Sequence, residues 1–223
     1  VVDGELSLIF AGRATMTELN VRHMGGQGPT DVLAFPIDGE DVGVDDGVPV
    51  LLGDVIVCPS EARRNAVWTL ARIDTAASRA AVRAALDDTH ASVVTTALQV
   101  LSVWRDAGAF GRLLDFIKAE NVAHARMAAE VLGRLGDARA IGPLLAAVGR
   151  SGEVAFTATG APEGAAERAW EHSFIYALIE IGRPQDVLAQ LKPGAAPRVV
   201  RAALVALDQM AGGGLKAEDV IGW

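Results

Sequence analysis

The chain is poor in several things, and each shortage excludes something. Its single cysteine, Cys58, excludes an internal disulfide framework and fits a reducing compartment, so a cytoplasmic setting is the expectation. No apolar run approaches the roughly 18–20 residues that a membrane-crossing helix needs, so no membrane partner is expected. The N-terminus, Val1-Val2-Asp3-Gly4-Glu5, has neither a basic leader nor an apolar signal core. The missing initiator Met suggests a trimmed product or a fragment. Histidines number four (His23, His90, His124, His172), and no two lie within a helical turn of each other. Metal sites on helices use closer pairs.

Positive charge is scarce where it would matter for phosphates. Residues 1–60 hold ten acidic groups against Arg13 and Arg22, a net −8 that equals the formal charge of the whole protein. From Glu61 onward, 18 acids balance 18 bases. Nucleic-acid affinity depends largely on cations that neutralise phosphates. The N-terminal segment is therefore expected to bind nucleic acid poorly, and the remainder has arginines but no basic block.

What is present divides at Ala62-Arg63-Arg64-Asn65-Ala66. Before this seam, short β-branched runs alternate with Gly, Pro and Asp. Glu5–Ala11 reads as a strand with Leu6, Leu8 and Phe10 on one face. Thr15-Met-Thr-Glu18 has capping-box spacing and opens a short helix carrying Met16, Leu19 and His23. Gly25-Gly26-Gln27-Gly28-Pro29 ends that helix. Asp31–Pro36 is a second strand, and an acidic loop from Asp38 to Gly47 follows. Val48–Cys58 is a third strand, bent or bulged at Gly53. Pro59-Ser60-Glu61 starts a helix, with Ser60 a candidate N-cap. The order β-α-β-β-helix needs cover on both sheet faces.

These residues carry a specific resemblance. Glu5-Leu-Ser-Leu-Ile-Phe, Glu18-Leu-Asn-Val-Arg-His-Met-Gly, Gly28-Pro-Thr-Asp-Val-Leu-Ala-Phe-Pro and Leu52-Gly-Asp-Val-Ile-Val-Cys-Pro resemble, in order, the bacterial rRNA maturation factors of the YbeY-type endoribonuclease family. The resemblance implies a metal, zinc, held by three histidines in a motif of the form H-G-x-L-H-L-x-G-Y-D-H. No such motif occurs in this sequence. An arginine that some members carry after the first helix falls at Met24. From this loss the expectation is a scaffold without its chemistry: no enzyme, no catalytic residue, no metal and no cofactor.

After the seam the chain is an array. The pattern Ala-x-x-x-Leu with a bulky apolar residue three later recurs as Ala66/Leu70/Ile73, Ala97/Leu101/Trp104 and Ala128/Leu132/Leu135, at spacings of 31 residues. Further copies end at Leu178/Ile181 and run through Ala203/Leu207/Met210. Short breaks follow each, at Asp74, Arg105-Asp106, Gly136-Asp137, Gly182-Arg183-Pro184 and Gly212-Gly213-Gly214. Second helices are then expected at Ser78–Leu86, Phe110–Ala119, Ala140–Val148 and Gln185–Leu191. Leu132-Gly-Arg-Leu-Gly-Asp-Ala-Arg-Ala-Ile-Gly-Pro-Leu-Leu resembles HEAT-like repeats of the phycobilisome-lyase type, and the resemblance covers about residues 63–213.

The expected fold is therefore α+β. A small β-α-β-β fragment (residues 1–62) packs on an α-solenoid of about five HEAT-like helical hairpins (residues 63–223), interrupted by an insertion at 151–164. Stacked hairpins bury stripes that a lone pair cannot, and the solenoid is expected to shield the apolar face of the sheet. The two halves read as a chimera, natural or engineered.

Other constellations carry weaker readings. Asp38, Glu40, Asp41, Asp45 and Asp46 read as a solvated turn, since they lack the alternation and closing Glu of a Ca²⁺ loop. Glu171-His172, with Tyr176 one turn on, reads as a polar patch or contact between repeats rather than an acid/base pair. Cys58 reads as structural, and Trp68, Trp104 and Trp170 as core or ridge residues. The leading functional expectation is a scaffold or protein-interaction module. A solenoid gripping a protein, peptide or small ligand on its concave face is the alternative, and a residual metal-dependent endoribonuclease ranks third. The chain is expected to be a monomer or a homo-oligomer paired through strand edges.

Overall fold

A computed structural model describes residues 4–36, 50–150, 165–212, 215 and 220. The acidic loop Asp38 to Gly47, the start of the third strand at Val48 and Pro49, the insertion 151–164 and the pair Gly213-Gly214 lie outside the described residues. The fold is α+β, a small three-stranded sheet followed by many helices. It separates into two compact units, residues 1–96 and 97–223.

In the first unit, strands β1 (Gly4–Phe10), β2 (Val32–Pro36) and β3 (Val50–Val57) form a sheet in the order β1-β3-β2. β1 runs parallel to β3, and β2 runs antiparallel to it. Helix α1 (Arg13–Leu19) continues into a π-turn, Asn20–Met24. The expected capping box is not used: α1 begins at Arg13 behind Gly12, without a side-chain cap, so Thr15 and Glu18 fall inside the helix. The chain leaves β1 directly into helix, because Ala11 N–H donates to the Val57 carbonyl at the sheet end and Met16 N–H already donates to Gly12.

The expected irregularity at Gly53 is present. Glu5 pairs with Leu51 and Leu6 with Gly53, so Leu52 is an extra residue in the central strand. Gly53 takes φ +134°, and a Cβ there would sit 2.2 Å from the Phe35 carbonyl oxygen. β2 therefore crosses the bulge at a distance that only glycine permits.

The two sheet faces differ. One face, with Leu33, Phe35 and Ile56, packs under Met16 of α1, and Met16, Leu33, Ile56 and Cys58 form the small core, edged by Ala11 and Leu19. The register puts Leu6, Leu8, Phe10, Val55, Val57, Val32 and Ala34 on the other face. That face is apolar and open: Leu8 is 57% exposed and Phe10 68%. Leu6 is exposed as well. Phe10→Ser should accordingly change unfolding free energy by only about 0.5 kcal/mol or less. Urea denaturation checks this, and a loss of several kcal/mol would mean the face is covered in solution.

α2 (Pro59–Ile73) runs uninterrupted through residues 62–66. Its N-cap is Cys58, with Pro59 at the first helical position, so Ser60 lies inside the helix rather than capping it. α3 (Ala76–Ala84) follows behind a true capping box, Thr75 with Ser78. Asp88 ties the next turn back to α2, accepting from Arg63 Nε at 2.7 Å and from the His90 backbone N–H. The boundary between the units falls within α4 (Ala91–Trp104).

The second unit holds α5 (Phe110–Phe116), α6 (Val122–Leu135), α7 (Ile141–Gly149), α8 (Ala165–Ile181), α9 (Pro184–Leu188) and α10 (Pro197–Gln209). α6 packs on α8, α8 on α10, and α7 on both α8 and α10. The recurring leucines Leu101, Leu132, Leu178 and Leu207 are buried, as are Ala97, Ala128 and Ala203. Gly133 sets the closest approach, since a Cβ there would lie 2.8 Å from Ala177 Cα.

The 31-residue period reappears in the backbone. The residue ending four of the leading helices is left-handed, Asp74 (φ 45°), Arg105 (φ 49°), Gly136 (φ 69°) and Gly182 (φ 65°), whereas α10 ends at Met210 with φ −71°. This conformation satisfies orphan carbonyls at a helix end and favours glycine. Two of the breaks are then capped alike, Asp106 accepting from Gly108 N–H and Asp137 from Arg139 N–H, each at 2.9 Å. Arg105→Gly should raise stability by about 0.5 kcal/mol, because the strain of a side chain at positive φ outweighs the entropy glycine brings to the unfolded chain. Thermal or urea melts check the sign.

Candidate functional site

The polar constellation of the first unit gathers where the loop before β2 meets the start of α2. Asp31 sits at the centre. Its carboxylate accepts from Val32 N–H at 3.0 Å and from Asn65 Nδ2 of α2 at 3.1 Å. Its carbonyl accepts from Cys58 N–H at 2.8 Å. One residue thus joins β2, the end of β3 and α2. The Asn65 hydrogen bond is the largest influence holding the Asp31 carboxyl below its ordinary value, aided by its backbone partners against a cost of burial.

A carboxylate whose pKa is lowered on folding contributes stability above its unfolded pKa. That contribution fades as the pH falls through the lowered folded value. Asn65→Ala should therefore flatten the loss of stability below about pH 4, with an effect at neutral pH well under 1 kcal/mol because Asp31 remains in contact with solvent. Urea midpoints measured from pH 7 to pH 3 check this.

Beside Asp31, Glu61 is buried and pairs with Arg13 of α1 and with Arg64 one turn on, whose Nη1 lies 2.8 Å from Oε2. A buried carboxylate needs such partners, so this triad fixes α1 against the start of α2. Cys58 is fully buried with Sγ 3.6 Å from Ser60 Oγ, a structural position.

The four histidines remain apart. His23 meets the Phe35 ring edge-on at 5.2 Å, and His90 contacts Arg63 and Thr89. His124 is buried beside Phe116, and His172 stacks parallel to Tyr176 in α8. Among the described residues there is no group of three His, Cys, Asp or Glu that could hold a metal. Met24 is exposed, Trp170 lies in the core and Trp68 is half-exposed. No described helix is long and apolar enough to cross a membrane. The acidic cluster Asp38, Glu40, Asp41, Asp45 and Asp46 lies outside the described residues. Glu61 carried no sequence signal, since only the fold shows that it is buried. Asp31 and Asn65 lie 34 residues apart, and only the fold brings them together.

Comparison with known proteins converges on this unit. The family model described as Endoribonuclease YbeY matches residues 1–86. An Endoribonuclease YbeY of Frankia casuarinae is 49% identical over 67 residues, covering 28% of this chain and 33% of that protein. One from Salinispora tropica is 47% identical over 70 residues, covering 28% and 45%. A third, from Clavibacter michiganensis, is 43% identical over 67 residues, covering 29% and 44%. The chain spans a third to under half the length of these curated relatives. The matches correct the expectation that the chain is not an enzyme. That expectation rested on an absent histidine motif, whereas the sequences it resembles at this identity are named endoribonucleases. Residues 1–86 of this chain are similar to the endoribonuclease YbeY family.

Proposed function

We propose that this chain works in RNA processing, with residues 1–86 forming the strand-and-helix platform of a YbeY-like endoribonuclease. The observation that carries the reading is the coincidence of similarity and structure. The segment that the endoribonuclease family model matches, residues 1–86, includes the strands and the Asp31–Asn65 and Arg13–Glu61–Arg64 ties that hold them. No hydrolytic step is assigned to the described residues, because they offer no metal cluster. The test is incubation of the full chain with a structured ribosomal RNA fragment, with and without added divalent cation. Binding of the fragment is expected, and any cleavage should be abolished by chelation. Absence of both cleavage and RNA binding with every cation tried would overturn the reading.

A second reading concerns the helices, which we take as a HEAT-like array serving as an interaction surface and joined to the first segment through α2. The left-handed helix ends at 74, 105 and 136 support it, as repetition in the backbone itself is a mark of repeat architecture. Small-angle scattering is expected to give an elongated profile, and a compact sphere would count against an array.

A further inference from the structure

The second unit has a groove of about 400 Å³ between α6 and α8, lined by Arg126, Met127, Glu130, His172, Ser173 and Tyr176. Its size falls within the range of small-ligand sites. Three features give it a chemistry. Arg126 is exposed, yet its Nε donates to Ser173 Oγ at 2.9 Å, and that hydroxyl in turn donates to the Ala169 carbonyl at 2.8 Å. The guanidinium is thereby oriented with both Nη groups free of partners among the described residues. Of the neighbouring acids, Glu130 pairs with Arg134 at 2.9 Å and Glu171 Oε2 pairs with Arg201, while Glu171 Oε1 is buried with no hydrogen-bond partner among the described residues. Finally, His172 and Tyr176 lie parallel, 7° apart with centroids at 6.5 Å, and Tyr176 is 47% exposed.

We propose that this groove is a nucleotide subsite, with a phosphate on the Arg126 Nη fork and a base stacked on the Tyr176/His172 pair. A planar fork suits a phosphate, and base stacking on aromatic rings tolerates any sequence. Both groups line the same groove, so a single nucleotide can reach them together. The near-neutral charge of residues 61–223 does not oppose this, because one oriented cation meets one phosphate. The nucleotide is either free or one unit of single-stranded RNA. The site lies outside the residues matched by the endoribonuclease model, so the proposal stands apart from the RNA-processing reading.

The test is titration of the full chain, at about 50 mM salt where phosphate contacts are strongest, with adenosine monophosphate and with a short single-stranded oligoadenylate. Tyr176→Ala should weaken binding about tenfold or more. Arg126→Gln should weaken it and lower the slope of log affinity against log salt by about one. His172→Ala provides a second probe of the stack should Tyr176→Ala fail to fold. Much tighter binding of the oligomer supports RNA as the source, while equal affinity supports a free nucleotide. The proposal is overturned if neither probe binds, if binding is indifferent to all three substitutions, or if only an acidic peptide binds with the same dependence on Arg126. A cleavage assay that fails leaves this result untouched, and the reverse is also true.

Discussion

Gly53→Ala should unfold or nearly unfold the first unit, lowering its stability by about 3–5 kcal/mol. Two costs combine. The residue holds φ +134° in the middle of the central strand, a conformation that costs a side-chain-bearing residue roughly 1–3 kcal/mol. In addition, the new methyl would lie 2.2 Å from the Phe35 carbonyl oxygen and 2.9 Å from Pro36 Cα. Both are backbone atoms of β2, so no side chain can swing aside. Relief requires β2 to move off β3, and the core of Met16, Leu33, Ile56 and Cys58 is too small to absorb that. Overpacking adds about 1–3 kcal/mol. Hydrogen exchange over residues 32–36 and 50–57, alongside a urea melt, would show the loss confined to the sheet. Protection equal to that of the parent chain would mean the bulge at Leu52 is not held in solution.

Trp170→Ala should cost the second unit about 3–5 kcal/mol, the usual range for removing a buried tryptophan. Trp170 is 1% exposed and packs on Phe174, with ring centroids 4.5 Å apart. Both rings project from α8, which also carries the buried Ala177, Leu178 and Ile181 and touches α6, α7 and α10. A void there is bounded by helices whose separation is fixed elsewhere, at Gly133 against Ala177, so collapse around it is restricted. Urea denaturation followed by far-ultraviolet circular dichroism, which reads helix content, would measure the change. A shift below about 1 kcal/mol would show that neighbouring chain refills the site.

These two residues also mark how much of the molecule was legible beforehand. Gly53 announced itself in the sequence, because an isolated glycine inside a β-branched run signals a bulge or a close backbone approach, and the structure contains both. The repeated Ala and Leu positions identified buried residues in the later leading helices, Ala97, Leu101, Ala128 and Leu132, but not in α2, where Ala66 and Ile73 are exposed. Helix starts were read less well. Thr15-Met-Thr-Glu18 and Ser60 have the right spacing or identity for caps, but the hydrogen bonding of Ala11 to Val57 and the proline at 59 begin both helices earlier. Cap motifs are local signals, and a strand end that already fixes the backbone overrides them. Chemistry was misjudged for a related reason. An absent histidine motif says which ligands are missing, and it does not say what the rest of the segment does; the similarity of residues 1–86 to named endoribonucleases speaks to that instead.

The sequence alone determined the β-α-β-β-helix order, the glycine requirement at position 53 and the 31-residue period of the helices. All three follow from backbone preference and side-chain periodicity, which act over a few residues. Tertiary structure decided that Leu6, Leu8 and Phe10 face outward while Leu33 and Ile56 face α1. It also decided that Glu61 is enclosed by Arg13 and Arg64, and that Arg126 reaches Ser173 beside the His172–Tyr176 pair. Periodicity makes a strand or helix two-faced; which face is covered depends on partners tens of residues away, and no local pattern records them.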